Sequence, residues 1–353
     1  MPLRRQILRL PPLARRDAEI RRLKRRVDKL QLALADEKAK PPPPPPPPAP
    51  PRYRPKVASW HVRVMEQQRV QQAVGALPGS TDHPRRNLLL KLQNYEIARS
   101  YGVSTPQVLG VWPTVAEIDF DALPDEFVLK SNGGSTSRGV LPLQRTPSGF
   151  ELIDGSRQYT RESILEHYAT ARGARAPFFA ETLLPGAHER LPDDIKIYSY
   201  YGDVAFALVR RMPVHADTSQ ARVRMIGPDG GDLGEVQQGR TYDLSVDVPR
   251  HLAHMVEVAS VLSRAVPLPF VRVDLYDFPE GIALGEFTPL PGDSQTFTRD
   301  WDHDLGDRYD RAEARLQLDL TAGRPYRVLH GPHDRRLTTP MPPTTTVADL
   351  PSW

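Results

Sequence analysis

The chain contains no cysteine. Disulfides, thiol nucleophiles and cysteine-based zinc sites are therefore excluded, and the composition fits a cytoplasmic setting. It also lacks any apolar run approaching about 18 residues, the length a membrane-spanning helix needs. The opening residues, Met1-Pro2-Leu3-Arg4-Arg5-Gln6-Ile7-Leu8, have neither a long apolar stretch nor a small-residue cleavage site, so no secretory signal is expected. Histidine is scarce, at 10 residues. His215, His251 and His254 are not spaced as a zinc-binding HExxH pair, which leaves them packing or surface roles.

What charge there is lies unevenly. The net +4 of the whole chain hides an N-terminal stretch, residues 1–40, with 13 Lys and Arg against 5 Asp and Glu, while residues 52–353 sum to −4. The basic character belongs to this arm, and the body is not expected to bind nucleic acid. Within the arm Ile20, Leu23, Val27, Leu30 and Leu34 are spaced 3, 4, 3, 4, with β-branched residues at the early a positions and leucine at d. That pattern favours two parallel strands. It holds for about two heptads, because the preceding d position is Arg16. Two kinds of partner stay open. One is a second copy of the helix, giving a homodimer. The other is a protein or an acidic lipid surface met by a basic amphipathic arm, which would hold the protein peripherally at the inner face of the membrane.

Proline is abundant, at 38 residues, and marks the plainest boundary. Residues 41–51 read as a polyproline II spacer that advances about 3.1 Å per residue without internal hydrogen bonds. The expected organisation is a basic helical or coiled-coil arm over 1–40, the linker over 41–51, a catalytic body over 52–330 and an irregular Pro/Thr-rich tail over 331–353. In the body, helices are expected over 62–77, 88–101 (stopped by Gly102), 161–172 and 248–265. Strands are expected over 103–111, 127–130, 178–184, 195–201 and 204–211, the last two turning at Gly202-Asp203. A further strand over 271–276 turns at Pro279-Glu280-Gly281 into a partner that carries Glu286. Paired antiparallel strands with helices to one side predict an α+β fold rather than a doubly wound parallel sheet.

The chemistry concentrates on that final pair. Asp274 and Glu286, twelve residues apart, place one carboxylate from each strand on the same side, beside Arg272 and the hydroxyl of Thr288. Such an oxygen-rich cradle suits Mg²⁺, a hard ion that takes one or two carboxylates and leaves its other positions to phosphate oxygens. Both carboxylates read as lying at a charged site rather than in the core, so neutralising either is expected to stop turnover and spare the fold. Upstream, a strand delivers Lys130 into Ser131-Asn132-Gly133-Gly134-Ser135-Thr136-Ser137-Arg138-Gly139, a loop slim enough for backbone N–H groups to approach a phosphate. It lacks the residue order of a P-loop. Glu181 ends an apolar strand, where it meets an adenine amino group or is simply an edge glutamate. Asp194 and Lys196 share a strand face by period two, which suits ribose and phosphate or a plain surface ion pair. Arg210, Arg211, Arg222 and Arg224 offer a clamp for an anionic substrate, and Gly292-Asp293-Ser294 a contact for an acceptor.

The order of these elements resembles the ATP-grasp superfamily, the fold of many carboxylate–amine ligases. Its hallmarks fall on Lys91 in Leu90-Lys91-Leu92-Gln93-Asn94-Tyr95, on Lys130 with its glycine/serine lid, and on Glu181 at the hinge. The closing RxD…ExNxxPG pattern falls on Arg272, Asp274, Glu286, Thr288 and Pro291-Gly292, with Thr288 standing where the pattern has asparagine. Asp193-Asp194-Ile195-Lys196-Ile197-Tyr198, together with Phe127-Val128-Leu129-Lys130, resembles the TupA-like branch, associated with teichuronopeptide and other cell-surface polysaccharide synthesis. The likeness spans roughly residues 85–310 and leaves out arm, linker and tail.

The resemblance implies an ATP-grasp fold with two α+β subdomains clasping ATP. Adenine would lie near Glu181 and Leu184 and ribose near Asp194, with phosphates on Lys91, Lys130, Lys196 and the lid residues Ser135 and Thr136. Mg²⁺ would sit on Asp274, Glu286 and Thr288, with Arg272 steadying an acyl phosphate. The implied activity is an ATP- and Mg²⁺-dependent carboxylate–amine ligase acting on a small molecule or glycan that bears a carboxylate or amine. Two alternatives stay open: a phosphotransferase that uses a sugar hydroxyl, and a catalytically degenerate nucleotide-binding scaffold of a glycan-synthesis complex.

Overall fold

A computed structural model describes residues 11–39, 57–134, 139–171, 173–186, 190–291 and 296–333. The chain divides into two compact units, residues 1–52 and 53–353. In the first, helix α1 spans Pro11–Ala39, and Ile20, Leu23, Val27, Leu30 and Leu34 are all between 42 % and 62 % exposed along it. The proline linker and the tail beyond His333 lie outside the described residues.

The second unit opens with α2 (Trp60–Ala76), whose first turn is capped by Ser59. The helix expected over 88–101 is α4 (Lys91–Ser100), three residues late at its start because Leu90 is extended at φ −106°, ψ 115°, and a short helix α3 (Pro84–Asn87) that was not expected precedes it. The extended Leu90 makes Lys91 the first residue of a helix. Strands β1 (Val108–Trp112), β2 (Glu126–Gly133), β3 (Val140–Thr146), β4 (Gly149–Leu152), β5 (Gln158–Tyr159) and β6 (Arg175–Glu181) form a sheet in the order β1-β6-β2-β3-β4-β5. All its pairings are antiparallel. Helix α5 (Arg161–Thr170) starts with a Thr160–Ser163 capping box and buries Ile164 and Tyr168 against Leu129, Leu141 and Phe178. Strand β2 runs through Gly133, three residues further than expected, and β6 ends at Glu181 instead of continuing to Leu184.

The second sheet contains β7 (Asp194–Tyr200), β8 (Asp203–Arg211), β9 (Arg222–Ile226), β10 (Thr241–Tyr242), β11 (Val271–Phe278) and β12 (Gly281–Thr288), ordered β10-β9-β8-β7-β11-β12. Within it β10 and β9 are parallel and the other pairs antiparallel. Between β7 and β8 the chain reverses at Tyr201 and Gly202, whose φ angles of 47° and 97° are the positive values a two-residue hairpin turn demands. Helix α6 spans Leu252–Ala265, four residues later than expected at its start; before it, Asp277 accepts the backbone N–H of Arg250.

Alternation along β7 sorts the two faces of this sheet. Ile195 and Ile197 join Val209, Val271, Val273 and Leu275 under Met255, Val258 and Leu262 of α6. Tyr198 and Tyr200 turn the other way, with Phe206, Leu208, Val223 and Met225, beneath Trp60 of α2 and beneath helix α7 (Arg299–Thr321) with its Leu305 and Tyr309. No helix was expected over 299–321, since charged residues on every side blur its apolar stripe. Contact between α2 and α7 is close: a Cβ on Gly306 would meet the Ser59 nitrogen at 2.4 Å. Asp302 of α7 also accepts from His61 N at 2.9 Å, capping α2 from across the interface. Among the described residues no helix is long and apolar enough to cross a membrane.

Candidate nucleotide and metal site

The aromatic layer covers one half of its sheet face. On the other half, the same alternation presents Asp194 and Lys196 from β7, Arg272 and Asp274 from β11, and Glu286 and Thr288 from β12. Register arranges them in rows: Lys196, Asp274 and Glu286 are lateral neighbours across three strands, and Tyr198, Arg272 and Thr288 form the adjacent row. The two carboxylates are thus direct cross-strand partners.

Charges alternate through these rows. Asp274 accepts from Arg272 Nε at 2.6 Å and Nη2 at 2.7 Å, and from Lys196 Nζ at 2.9 Å. Lys196 also pairs with Asp194 at 2.7 Å, and Asp194 with Arg210 at 2.5 Å. Arg272 Nη2 donates to Thr288 Oγ1 at 3.0 Å. Asp274 is only 4 % exposed, which corrects the expectation that it lies outside the core: it is the buried joint between two cations. Glu286, with its side chain 37 % exposed, is the accessible member of the pair. Burial works against the charge on Asp194, but Lys196 and Arg210 outweigh it and hold the carboxyl well below its usual range. Burial likewise opposes the charge on Arg272, and Asp274 overcompensates, leaving the guanidinium above its ordinary value.

The rest of the site comes from the first sheet by way of α4. Lys130 on β2 and Glu181 at the end of β6 form an ion pair at 2.5 Å. Tyr95 of α4 donates to Glu181 Oε2 at 2.7 Å and accepts from Lys130 Nζ at 3.2 Å. Glu181 is buried, and each of its oxygens has a protein donor, so here it holds Lys130 in place rather than presenting a free carboxylate. Asn132 on β2 accepts from Leu92 N at 2.9 Å, capping α4 from the neighbouring sheet. At that capped end Lys91 Nζ donates to Gly134 O at 3.2 Å and reaches Glu286 at 3.7 Å. A single helix therefore joins the charged groups of both sheets. Burial lowers the pKa of Lys91, Glu286 opposes this, and the charge of Lys130 adds to the lowering. The positive end of the helix dipole also lies at this position. Both features make it a place that favours an anion.

Leu184 lies half-buried just past β6. Ser135, Thr136 and Gly292-Asp293-Ser294 fall outside the described residues. The four arginines do not form an anion clamp. Arg210, Arg211, Arg222 and Arg224 are engaged by Asp194, Asp193, Asp243 and Asp232 at 2.5, 2.8, 3.0 and 2.7 Å. His215 Nε2 lies 2.8 Å from Val140 O, and His251 Nδ1 2.6 Å from Asp277. Tyr95 and Asn132 escaped the sequence reading. The signal for Tyr95 was its i, i+4 spacing from Lys91, which places both on one helix face; nothing short of the fold could show that Asn132 caps that helix.

Among the described residues, no three His, Asp or Glu side chains converge as a cage for a cation. Asp274, Glu286 and Thr288 supply oxygens only, with two carboxylates. That set fits a Mg²⁺ whose remaining positions are filled by phosphate and water.

Compared with known proteins, the chain matches a family model described as TupA-like ATPgrasp over residues 77–310. No curated protein matches it. Among solved structures it is similar to D-alanine–D-alanine ligase from Bacillus anthracis complexed with ATP, at 15 % identity over 67 % of this chain and 69 % of that one, with a TM-score of 0.41. It is also similar to D-cycloserine synthetase DcsG, at 18 % identity over 72 % and 81 %, with a TM-score of 0.41. The family match, which spans more than half of the chain, is the finding that assigns membership.

Proposed function

The chain belongs to the TupA-like ATP-grasp family, and on that premise we propose that it is an ATP- and Mg²⁺-dependent carboxylate–amine ligase. The observation that supports this most directly is the position of α4, whose Lys91 stands 3.7 Å from Glu286 in the carboxylate row of one sheet and whose Tyr95 bonds the Lys130–Glu181 pair of the other. Lys91 and Lys130 exchange Glu286 and Glu181 for phosphate oxygens of ATP, with adenine beside Glu181 and Leu184 and ribose towards Asp194. Asp274, Glu286 and Thr288 hold Mg²⁺, which when bound neutralises charge on the β- and γ-phosphates.

A substrate carboxylate oxygen attacks the γ-phosphorus as the bond to the β-phosphate oxygen breaks and ADP leaves. Arg272 steadies the resulting acyl phosphate. An amine then adds to the acyl carbon, phosphate departs, and the amine proton passes to solvent. The protein contributes position and fixed charge, which are the main requirements of phosphoryl transfer. No protein nucleophile is needed, in keeping with the absence of cysteine. The acceptor class we propose, from the TupA-like resemblance, is a cell-surface glycan or a small amino-acid substrate, modified on the cytoplasmic side.

The test is a screen of purified protein with ATP, Mg²⁺ and paired carboxylates and amines, following ADP and product mass. ADP formed only when both partners are present, with an amide product, supports the ligase. A phosphorylated sugar formed without an amine supports the phosphotransferase instead. Nucleotide binding with no turnover on any acceptor supports a scaffold.

A further inference from the structure

Each residue assigned above to the metal already faces a cation of the protein. The Arg272 fork takes both oxygens of Asp274, at 2.6 and 2.7 Å, and the Thr288 hydroxyl at 3.0 Å. Lys196 adds a second cation on Asp274 at 2.9 Å, and Lys91 stands 3.7 Å from Glu286. We propose that Arg272 is an internal stand-in for the metal: it competes with Mg²⁺ for two of its three donors, Asp274 and Thr288, and vacates them only when the phosphates of ATP draw it away. This rests on the assignment of Asp274, Glu286 and Thr288 to the metal.

The physical case is one of available partners. A planar guanidinium binds a carboxylate through two parallel hydrogen bonds, and with Lys196 also on Asp274 only about one of the carboxylate's roughly four lone-pair sites stays open to an ion. Arg272 is 9 % exposed, so leaving Asp274 without a new anion would strand a buried charge. Asp194, the other carboxylate whose charge acts on Arg272, is already shared by Lys196 and Arg210. Around the cradle Arg272, Lys196, Arg210 and Lys91 face Asp274, Asp194 and Glu286, four positive charges against three negative, so a bare divalent ion approaching it meets net repulsion. A polyphosphate changes both terms: it offers Arg272 an anion and brings negative charge to offset the metal. Metal and nucleotide therefore bind as a coupled pair, each raising the affinity for the other by the same factor.

The experiment is a Mn²⁺ titration of the full chain, read by the electron paramagnetic resonance signal of free Mn²⁺. It is run with and without the non-hydrolysable β,γ-imido analogue of ATP, after subtracting Mn²⁺ held by the analogue in solution. The nucleotide-free wild type should bind Mn²⁺ at least about tenfold more weakly than the analogue complex does. Arg272→Gln should tighten nucleotide-free binding at least about tenfold, and adding Asp274→Asn should remove the gain. Arg272→Lys, which leaves an ammonium able to hold a single oxygen, should fall between, and it serves should the glutamine variant not fold. Nucleotide-free wild type that binds Mn²⁺ as tightly as Arg272→Gln overturns the inference alone. Wild type that binds no Mn²⁺ even with the analogue overturns the metal assignment beneath it, a different result.

Discussion

Lys130 and Glu181 stand on neighbouring strands of the first sheet and meet at 2.5 Å, with side chains only 5 % and 3 % exposed. Val128 is the register partner of Glu181, so Lys130 reaches diagonally across β2 and β6, and the Tyr95 hydroxyl closes the triangle. Removing one partner of such a buried pair costs about 3–5 kcal/mol, whereas replacing both with apolar groups is often neutral. Glu181→Ala should therefore lower the unfolding free energy by about that amount in a urea titration. The double variant Lys130→Met, Glu181→Met should recover most of the loss while failing to bind ATP. A single variant as stable as the wild type would contradict the role of this pair in holding the fold.

Lys91 makes the opposite prediction. Its pKa in the fold is lowered from 10.5, chiefly by burial. Between the lowered value and 10.5 the unfolded chain binds more protons at this residue than the folded one, so its contribution to stability improves as pH rises through that window. Below the window the full cost of a buried charge is present. Lys91→Met should be at least as stable as the wild type at pH about 7, with the advantage shrinking on approach to pH 10.5, while affinity for ATP falls. Thermal melts across the alkaline range check the trend; an advantage that grows with pH contradicts it.

Asp194 carries the acid counterpart. Its carboxyl is depressed from 3.8 although burial pushes upward, because Lys196 and Arg210 prevail. The stabilisation is fully present above 3.8 and is lost as pH falls through the depressed value. Asp194→Asn should therefore be less stable than the wild type at neutral pH, and the gap should narrow as urea titrations move below pH 3.8. A gap unchanged by acid would assign the loss to packing instead of charge.

Glu286 and Asp274 should separate. Glu286→Gln should abolish ADP formation and lower the melting temperature only slightly, since the side chain is 37 % exposed and its contact with Lys91 is long, at 3.7 Å. Asp274→Asn should abolish turnover and also destabilise, because it leaves Arg272 and Lys196 without their shared carboxylate. Equal melting temperatures for the two variants would contradict the buried-joint reading of Asp274.

Gly306 tests the helix interface. Alanine is the better helix former by about 1 kcal/mol, yet its Cβ would stand 2.4 Å from Ser59 N and 2.7 Å from Ser59 Cα. Backbone cannot yield as a side-chain tip can, and overpacking costs about 1–3 kcal/mol. Gly306→Ala should lower the melting temperature; a rise would mean that α2 and α7 can separate freely.

Much of this fold announces itself locally. The hairpin of β11 and β12 shows in its Pro-Glu-Gly turn between two apolar strands, but its register did not: a shift between Leu275, paired with Leu284, and Asp274, paired with Glu286, is what sets the two carboxylates opposite each other. Helix α6 shows in its apolar stripe, and β7 and β8 in their turn. Helix α7 did not show, since its pattern of Asp and Arg masks an apolar stripe that matters only against the aromatic layer. The start of α4 did not show either, because it is held by Asn132, which accepts from Leu92 N across forty positions.

The sequence by itself determined which residue types are present for nucleotide chemistry, and local periodicity decided which of them share a face on β7 and on β11, while a register shift in the β11–β12 pairing brought Glu286 and Thr288 to that same face. Which charge meets which was decided by tertiary structure. Lys196 and Asp274 are 78 positions apart and Tyr95 and Glu181 are 86 apart, so their contacts follow from strand order and from α4 crossing between sheets. Ion pairs extend over a few ångströms and carry no periodic trace along the chain. That is why the carboxylates could be read as a metal cradle from sequence, and why only the fold revealed the arginine already lying in it.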